Sequence, residues 1–291
     1  MMILENDALK IEFEPHLGGK IVSFLHKRKD FQLAAQGKIH LREPSTPEEG
    51  FAPYAFGMDD AFPNIDGERI DWGGRKLEYP DHGEIWSARF EAKDEPSGVS
   101  LEWVSGRFGY RYQKGLHLDG NTLQIRYHIT NESKTDIPCF WTWHGLVRYE
   151  EDMLVLWPSG TRSFLNVQTT DILGHAGAQY DIENNIYDFA RVPKAKPEST
   201  AKYYVDHPVH EGRCGLYYPS KDVTFTMEYD RKVLPYLGFW VTAGGFQGDY
   251  NCALEPSNGF YDSISTARKN GKLPRLSSGE HMAFELKLAL G

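Results

Sequence analysis

The sequence predicts an all-β protein, on three observations. Its apolar segments are short and rich in β-branched and aromatic residues. No long stretch carries the i, i+3, i+4, i+7 apolar stripe of an amphipathic helix. The 7 Trp, 16 Tyr, 16 Phe and 28 Gly suit pleated strands joined by tight turns. The same aromatic content suits a surface that stacks on sugar rings.

Strands are expected at 9–14, 20–26, 99–104, 122–129, 153–157, 223–229, 236–242 and 281–290, where apolar residues alternate or run together. Residues 111–130 read as two strands of a hairpin joined at Asp119-Gly120-Asn121, residue types that tolerate positive φ. One short helix is expected near 257–269. The polar segment 171–209, with KAKPEST in its middle, predicts long loops around one or two short strands. Neither a composition shift nor a fixed repeat marks a boundary, so a single domain over 1–291 is expected.

A formal charge of -9, with Lys and Arg scattered, offers no footprint for phosphate backbones, so no nucleic-acid partner is expected. The N-terminal residues MMILENDALKIEFEP have acidic residues where a signal peptide is basic, and no 18-residue apolar run occurs. These features predict a soluble, cytoplasmic protein without a membrane partner, either a monomer or a homodimer. Cys139, Cys214 and Cys252 are odd in number and form no CxxC pair, as expected of buried thiols. His207-Pro208-Val209-His210 does not match the common zinc spacings, and no metal site is expected.

Four clusters set polar or ionisable groups beside glycine, proline or aromatics: Phe56 to Asn64, Pro80 to Trp86, Cys139 to Leu146, and Cys252 to Gly259. His82, before a glycine, reads either as a turn histidine bonded to backbone or as a site residue. Strand alternation puts Phe140, Thr142 and His144 on one face and Trp141 and Trp143 on the other, leaving His144 a core histidine or a functional one. Glu255 ends an apolar run before Pro256. Burial there would raise its pKa and poise it as a base, whereas a strand-end glutamate capping a loop is the plain alternative. Asp59 and Asp60 could hold hydroxyls, with fixing a turn the favoured role; strand geometry cannot point both into one pocket.

In order and context these clusters resemble those of the aldose 1-epimerases of the galactose-mutarotase-like superfamily. The likeness runs from Asn6-Asp7-Ala8-Leu9 and Pro15-His16-Leu17-Gly18-Gly19-Lys20-Ile21 through His82-Gly83, His144 and Glu255-Pro256 to Leu276-Ser277-Ser278-Gly279-Glu280. It spans nearly the whole chain. The resemblance implies a large antiparallel β-sandwich whose concave face binds a pyranose, and cofactor-free interconversion of the α and β anomers. It assigns Glu255 as the base on the anomeric hydroxyl and His144 as the acid on the ring oxygen. It further implies substrate-binding roles for His82, Asp206, Asn64 and Trp240, with ordinary core packing the alternative for Trp240.

The chain departs from the family where an Asn-Arg pair is usual: it reads Ala61-Phe62-Pro63-Asn64-Ile65. Asn64 is left to keep part of that role, and Arg69 or Arg75 could reach in from nearby loops. Gly145-Leu146-Val147 replaces the usual aromatic motif after the histidine. Two alternatives stay open. One is a glycoside hydrolase or lyase pairing Glu255 with Asp59, Asp60 or Asp206. The other is a sugar-binding protein that keeps the groove without the catalysis.

Overall fold

The computed structural model describes residues 1–37 and 47–291. Strand accounts for 48% and helix for 6%. A twelve-stranded antiparallel sheet carries, in spatial order, Met2–Glu5, Leu9–Glu14, Lys20–His26, Met58–Ala61, Thr142–Gly145, Tyr250–Ser257, Tyr236–Ala243, Thr200–Val205, Ser163–Asn166 and Gln179–Asp181. Two short strands, Phe31–Gln32 and Val147–Arg148, pair beside this path. An eight-stranded sheet runs Leu154–Leu156, Arg213–Tyr218, Val223–Tyr229, His281–Leu290, Thr122–Asn131, Tyr110–Asp119, Gly98–Val104 and Glu91–Glu95.

The two sheets bury one face each against the other, because their strands alternate. Leu237, Phe239 and Val241 point into the core, as do Cys252 and Leu254, while Gly238, Trp240, Ala253 and Glu255 occupy the opposite face. Each fully buried Leu, Val or Phe contributes roughly 1.5–3 kcal/mol. Polar bonds cross between the sheets too. Trp141 Nε1 donates to Tyr112 Oη at 2.7 Å, and Asp60 accepts from Lys114 Nζ and Tyr127 Oη, each at 2.8 Å.

All the expected strands form, and four of them, Leu9–Glu14, Lys20–His26, Val223–Tyr229 and His281–Leu290, keep the expected bounds. The hairpin closes through two residues, Gly120 and Asn121, with φ of 55° at Gly120. The helix is shorter than expected, Ile264–Lys269, because Ser263 caps it by accepting from Thr266 N at 3.1 Å. Segment 171–209 holds two strands, Gln179–Asp181 and Thr200–Val205. Asp59 and Asp60 correct the expectation of a turn: both lie in the buried strand Met58–Ala61, where an ion pair on each face replaces the solvent a turn would supply. All three cysteines are buried free thiols. Among the described residues, no helix is long and apolar enough to cross a membrane.

Candidate active site

Register builds the site. Asp59 lies opposite His144, Glu255 opposite Gly238, and Gly238 opposite Tyr204. Thr142 pairs with Ser257 and Ile21 with Met58; continuing those antiparallel registers sets Glu255 opposite His144 and Lys20 opposite Asp59. Lys20, Asp59, His144, Glu255, Gly238 and Tyr204 therefore form one row across six neighbouring strands. The row lies on the face turned away from the eight-stranded sheet.

Contacts follow the row. Lys20 Nζ pairs with Asp59 Oδ2, and Asp59 Oδ1 lies 3.2 Å from His144 Nδ1. His144 Nε2 lies 3.8 Å from Glu255 Oε1. Lys202 Nζ, on the strand beyond Gly238, lies 3.6 Å from Glu255 Oε2 and 2.9 Å from Asp262 Oδ1. Gly238 has a steric duty: a Cβ there would come within 2.8 Å of the Tyr204 ring and 3.2 Å of Glu255 Oε2. Tyr204 Oη donates to Asp262 Oδ1 at 2.7 Å, fixing the partner of Lys202.

These groups open on a cavity of about 360 Å³, within the range of small-molecule sites. Phe51, His82 and His144, whose rings pack together, line it with Trp240, Asn251, Lys202, Asp66, Asp262 and Glu255. His82 reaches it from a turn at φ of 57°, followed by Gly83, where a Cβ would meet Phe62 O at 2.1 Å. Its ring stacks on Phe51 at 3.9 Å between centroids, and its Nδ1 lies 2.9 Å from Asp81 Oδ1.

Burial pushes the Glu255 carboxyl above the ordinary glutamate value, against the pull of nearby Lys202. Among the described residues, neither Glu255 oxygen has a hydrogen-bond partner, and the residue is fully buried. Burial also opposes ionisation of Asp59, but Lys20 and His144 outweigh it and hold that carboxyl below its usual value. Burial lowers His82, partly offset by Asp81. Lys202 stays above the ordinary lysine value because Asp262 and Glu255 outweigh its desolvation. A buried carboxyl with a raised pKa, Glu255, beside two histidines that line the same cavity can move protons to and from a bound hydroxylated molecule.

Residues 110–290, more than half of the chain, match the family described as Domain of unknown function (DUF4432). The chain belongs to the DUF4432 family. The matched segment of this DUF4432 protein holds His144, Lys202, Glu255 and Asp262, while Lys20, Asp59 and His82 come from the strands and turn before it. No curated protein matches the chain in sequence.

Its fold is the galactose-mutarotase-like β-sandwich. Slr1438 protein from Synechocystis sp. PCC 6803 superposes with a TM-score of 0.75 at 16% identity, over 100% of this chain and 95% of that one. A galactose mutarotase-like protein from Lactobacillus casei ATCC 334 gives 0.72 at 16%, over 100% of both chains. A galactose mutarotase related enzyme from Lactobacillus acidophilus gives 0.73 at 13%, over 100% of this chain and 97% of that one.

In the DUF4432 protein the cavity brings together Glu255, His144, His82 and Trp240. Trp240 Nε1 donates to Asn251 Oδ1 at 3.2 Å, with its ring on the cavity side. Two other residues expected to bind substrate lie elsewhere. Asp206 sits past the end of its strand and accepts from Ser163 Oγ at 2.6 Å, outside the lining. Asn64 is fully buried behind the His82 turn, donating to Asp66 O and Pro80 O at 2.8 Å each, because that turn needs its carbonyls tied down. Arg69 pairs with Glu78, and Arg75 donates to Thr135 and Asp136 on an outlying hairpin, so neither reaches the cavity.

Sequence reasoning missed Lys202, Asp262 and the pairing of Asp59 with His144. Lys202 had a signal: it is the one charged residue of the strand Thr200–Val205 and shares the parity of Tyr204 rather than of core residues Ala201 and Tyr203. Asp262 had none, since a turn after the Glu255 strand brings it back to Lys202. Among the described residues, no group of three or more His, Cys, Asp and Glu could hold a metal ion.

Proposed function

We propose that this protein interconverts the α and β anomers of an aldose or modified sugar by acid–base ring opening. The observation that carries the reading is Glu255: fully buried, without a hydrogen bond on either oxygen among the described residues, and 3.8 Å from His144 Nε2 at the wall of a sugar-sized cavity. An unsatisfied buried carboxylate is costly, and a substrate hydroxyl donating to it removes that cost.

In the proposed reaction Glu255 takes the proton of the anomeric hydroxyl. The C1–O bond to the ring oxygen breaks, and that oxygen receives a proton from His144 Nε2, the ring passing from the imidazolium, protonated on both nitrogens, to the neutral imidazole. The open aldehyde turns about C1–C2. Reclosure runs the same transfers backward on the other carbonyl face, returning both protons. Trp240 supplies an apolar wall for the ring and His82 a polar atom near it. The protein would act on a small-molecule sugar without a cofactor.

The hydrolase alternative loses its named second carboxylates. Asp59 is engaged by Lys20 and His144, Asp60 faces the core between the sheets, and Asp206 is outside the cavity lining. Polarimetry of freshly dissolved aldoses with wild type, Glu255→Gln and His144→Asn tests the proposal. Faster equilibration with wild type alone supports it; a sugar that binds but equilibrates at the buffer rate leaves a binding protein instead.

A further inference from the structure

Behind His144, on the side away from Glu255, lies a buried charge pair that the proton transfers above do not use. Lys20 is fully buried and spends its three ammonium donors on Tyr54 O and Phe56 O, each at 3.0 Å, and on Asp59 Oδ2. The carboxylate is thereby fixed in place, with its other oxygen 3.2 Å from His144 Nδ1. Among the described residues, the acceptor placed at Nδ1 is Asp59 Oδ1; Phe51 meets the ring edge-on at 5.1 Å, and His82 lies 4.8 Å away between centroids with its own Nδ1 on Asp81.

We propose that Lys20 and Asp59 are positioning residues that keep a proton on His144 Nδ1 and so make Nε2 the nitrogen that exchanges a proton with the cavity. An ionised carboxylate only accepts, so the ring atom facing it must donate. Ring orientation then follows, with Nε2 on the Glu255 side. Lys20 never touches the cavity, and acts only by holding Asp59 charged and unable to rotate. A neutral amide in place of Asp59 would turn its oxygen to Lys20, which needs an acceptor, and its NH₂ to His144. The ring would then have to accept at Nδ1 and carry its proton on Nε2.

Nitrogen-15 NMR of the His144 ring, assigned by the signals lost in His144→Gln, reads the tautomer directly. In wild type Nδ1 is expected to stay protonated across the pH range in which the protein is folded. In Asp59→Asn the neutral ring is expected to carry its proton on Nε2. An unprotonated Nδ1 in wild type, or Nδ1 still protonated in Asp59→Asn, overturns the inference; the wild-type spectrum decides even if the variant does not fold. The rate effect rests on the proposed anomer interconversion: kcat should fall roughly 10²- to 10⁴-fold in Asp59→Asn, with KM within about twofold. The expected tautomers in a protein that equilibrates no sugar would remove the activity and leave the positioning. A kcat loss with an unchanged tautomer would remove the positioning and leave the activity.

Discussion

Glu255 Oε1 lies 3.8 Å from His144 Nε2, and among the described residues no hydrogen bond reaches either oxygen of this fully buried carboxylate. The two residues face each other across neighbouring strands in a register fixed by Thr142 and Ser257, two positions along. The gap between them is too long for a hydrogen bond and wide enough for a bound oxygen to approach both. A carboxylate kept this way costs stability.

Glu255→Gln should abolish anomer interconversion while leaving the fold as stable as wild type or more so at neutral pH. Because the folded-state pKa of Glu255 is raised above 4.5, its contribution to stability is complete below that value and is lost as pH rises through the folded pKa. The difference in unfolding free energy in favour of the variant should therefore open above pH 4.5, at about 1.4 kcal/mol per pH unit, then level off. Calorimetry across pH checks it; a difference that narrows as pH rises contradicts the assignment.

Lys202 opposes the effect of burial on Glu255 from 3.6 Å. Removing that cation in Lys202→Met should make the carboxylate harder to ionise, so the acid limb of kcat/KM should move to higher pH. A limb moving to lower pH, or not at all, would show that the titrating base is another group.

The Lys20–Asp59 pair is buried on both sides. Either Lys20→Met or Asp59→Leu alone should destabilise by about 3–5 kcal/mol, because each leaves one charge buried and unpaired. The double variant should recover much of that loss. Urea unfolding of the four proteins measures the coupling; additive losses would mean that the two charges do not compensate each other.

Gly238→Ala places a methyl within 2.8 Å of the Tyr204 ring and 3.2 Å of Glu255 Oε2. Overpacking of this kind costs about 1–3 kcal/mol. Since the displaced atoms include the proposed base, kcat should fall at least about tenfold as well. Wild-type kcat in a folded Gly238→Ala protein would show that the glycine is not what sets the position of Glu255.

Much of the frame was legible because alternation is local: the parity that sends Leu254 to the core sends Glu255 to the other face. His144 and Glu255 stood out as ionisable groups in apolar runs. Asp59 and Asp60 read wrongly as a turn because two adjacent acids suggest solvent, and the lysines that neutralise them, Lys20 and Lys114, lie 39 and 54 residues away in sequence. Asn64 and Asp206 carried the chemistry of site residues, but their side chains are used to tie down a turn and a strand end. Lys202 reaches Glu255 diagonally across the strand that holds Gly238 and Trp240, a relation that exists across three strands and within none.

Anomer interconversion by Glu255 and His144 is most directly tested by proton NMR exchange spectroscopy on the anomeric signals of a panel of aldoses at equilibrium. For at least one sugar, α–β exchange above the buffer rate is expected with wild type and is expected to be absent with Glu255→Gln and with His144→Asn. Exchange at the buffer rate for every sugar that binds, or exchange that persists in Glu255→Gln, would contradict it.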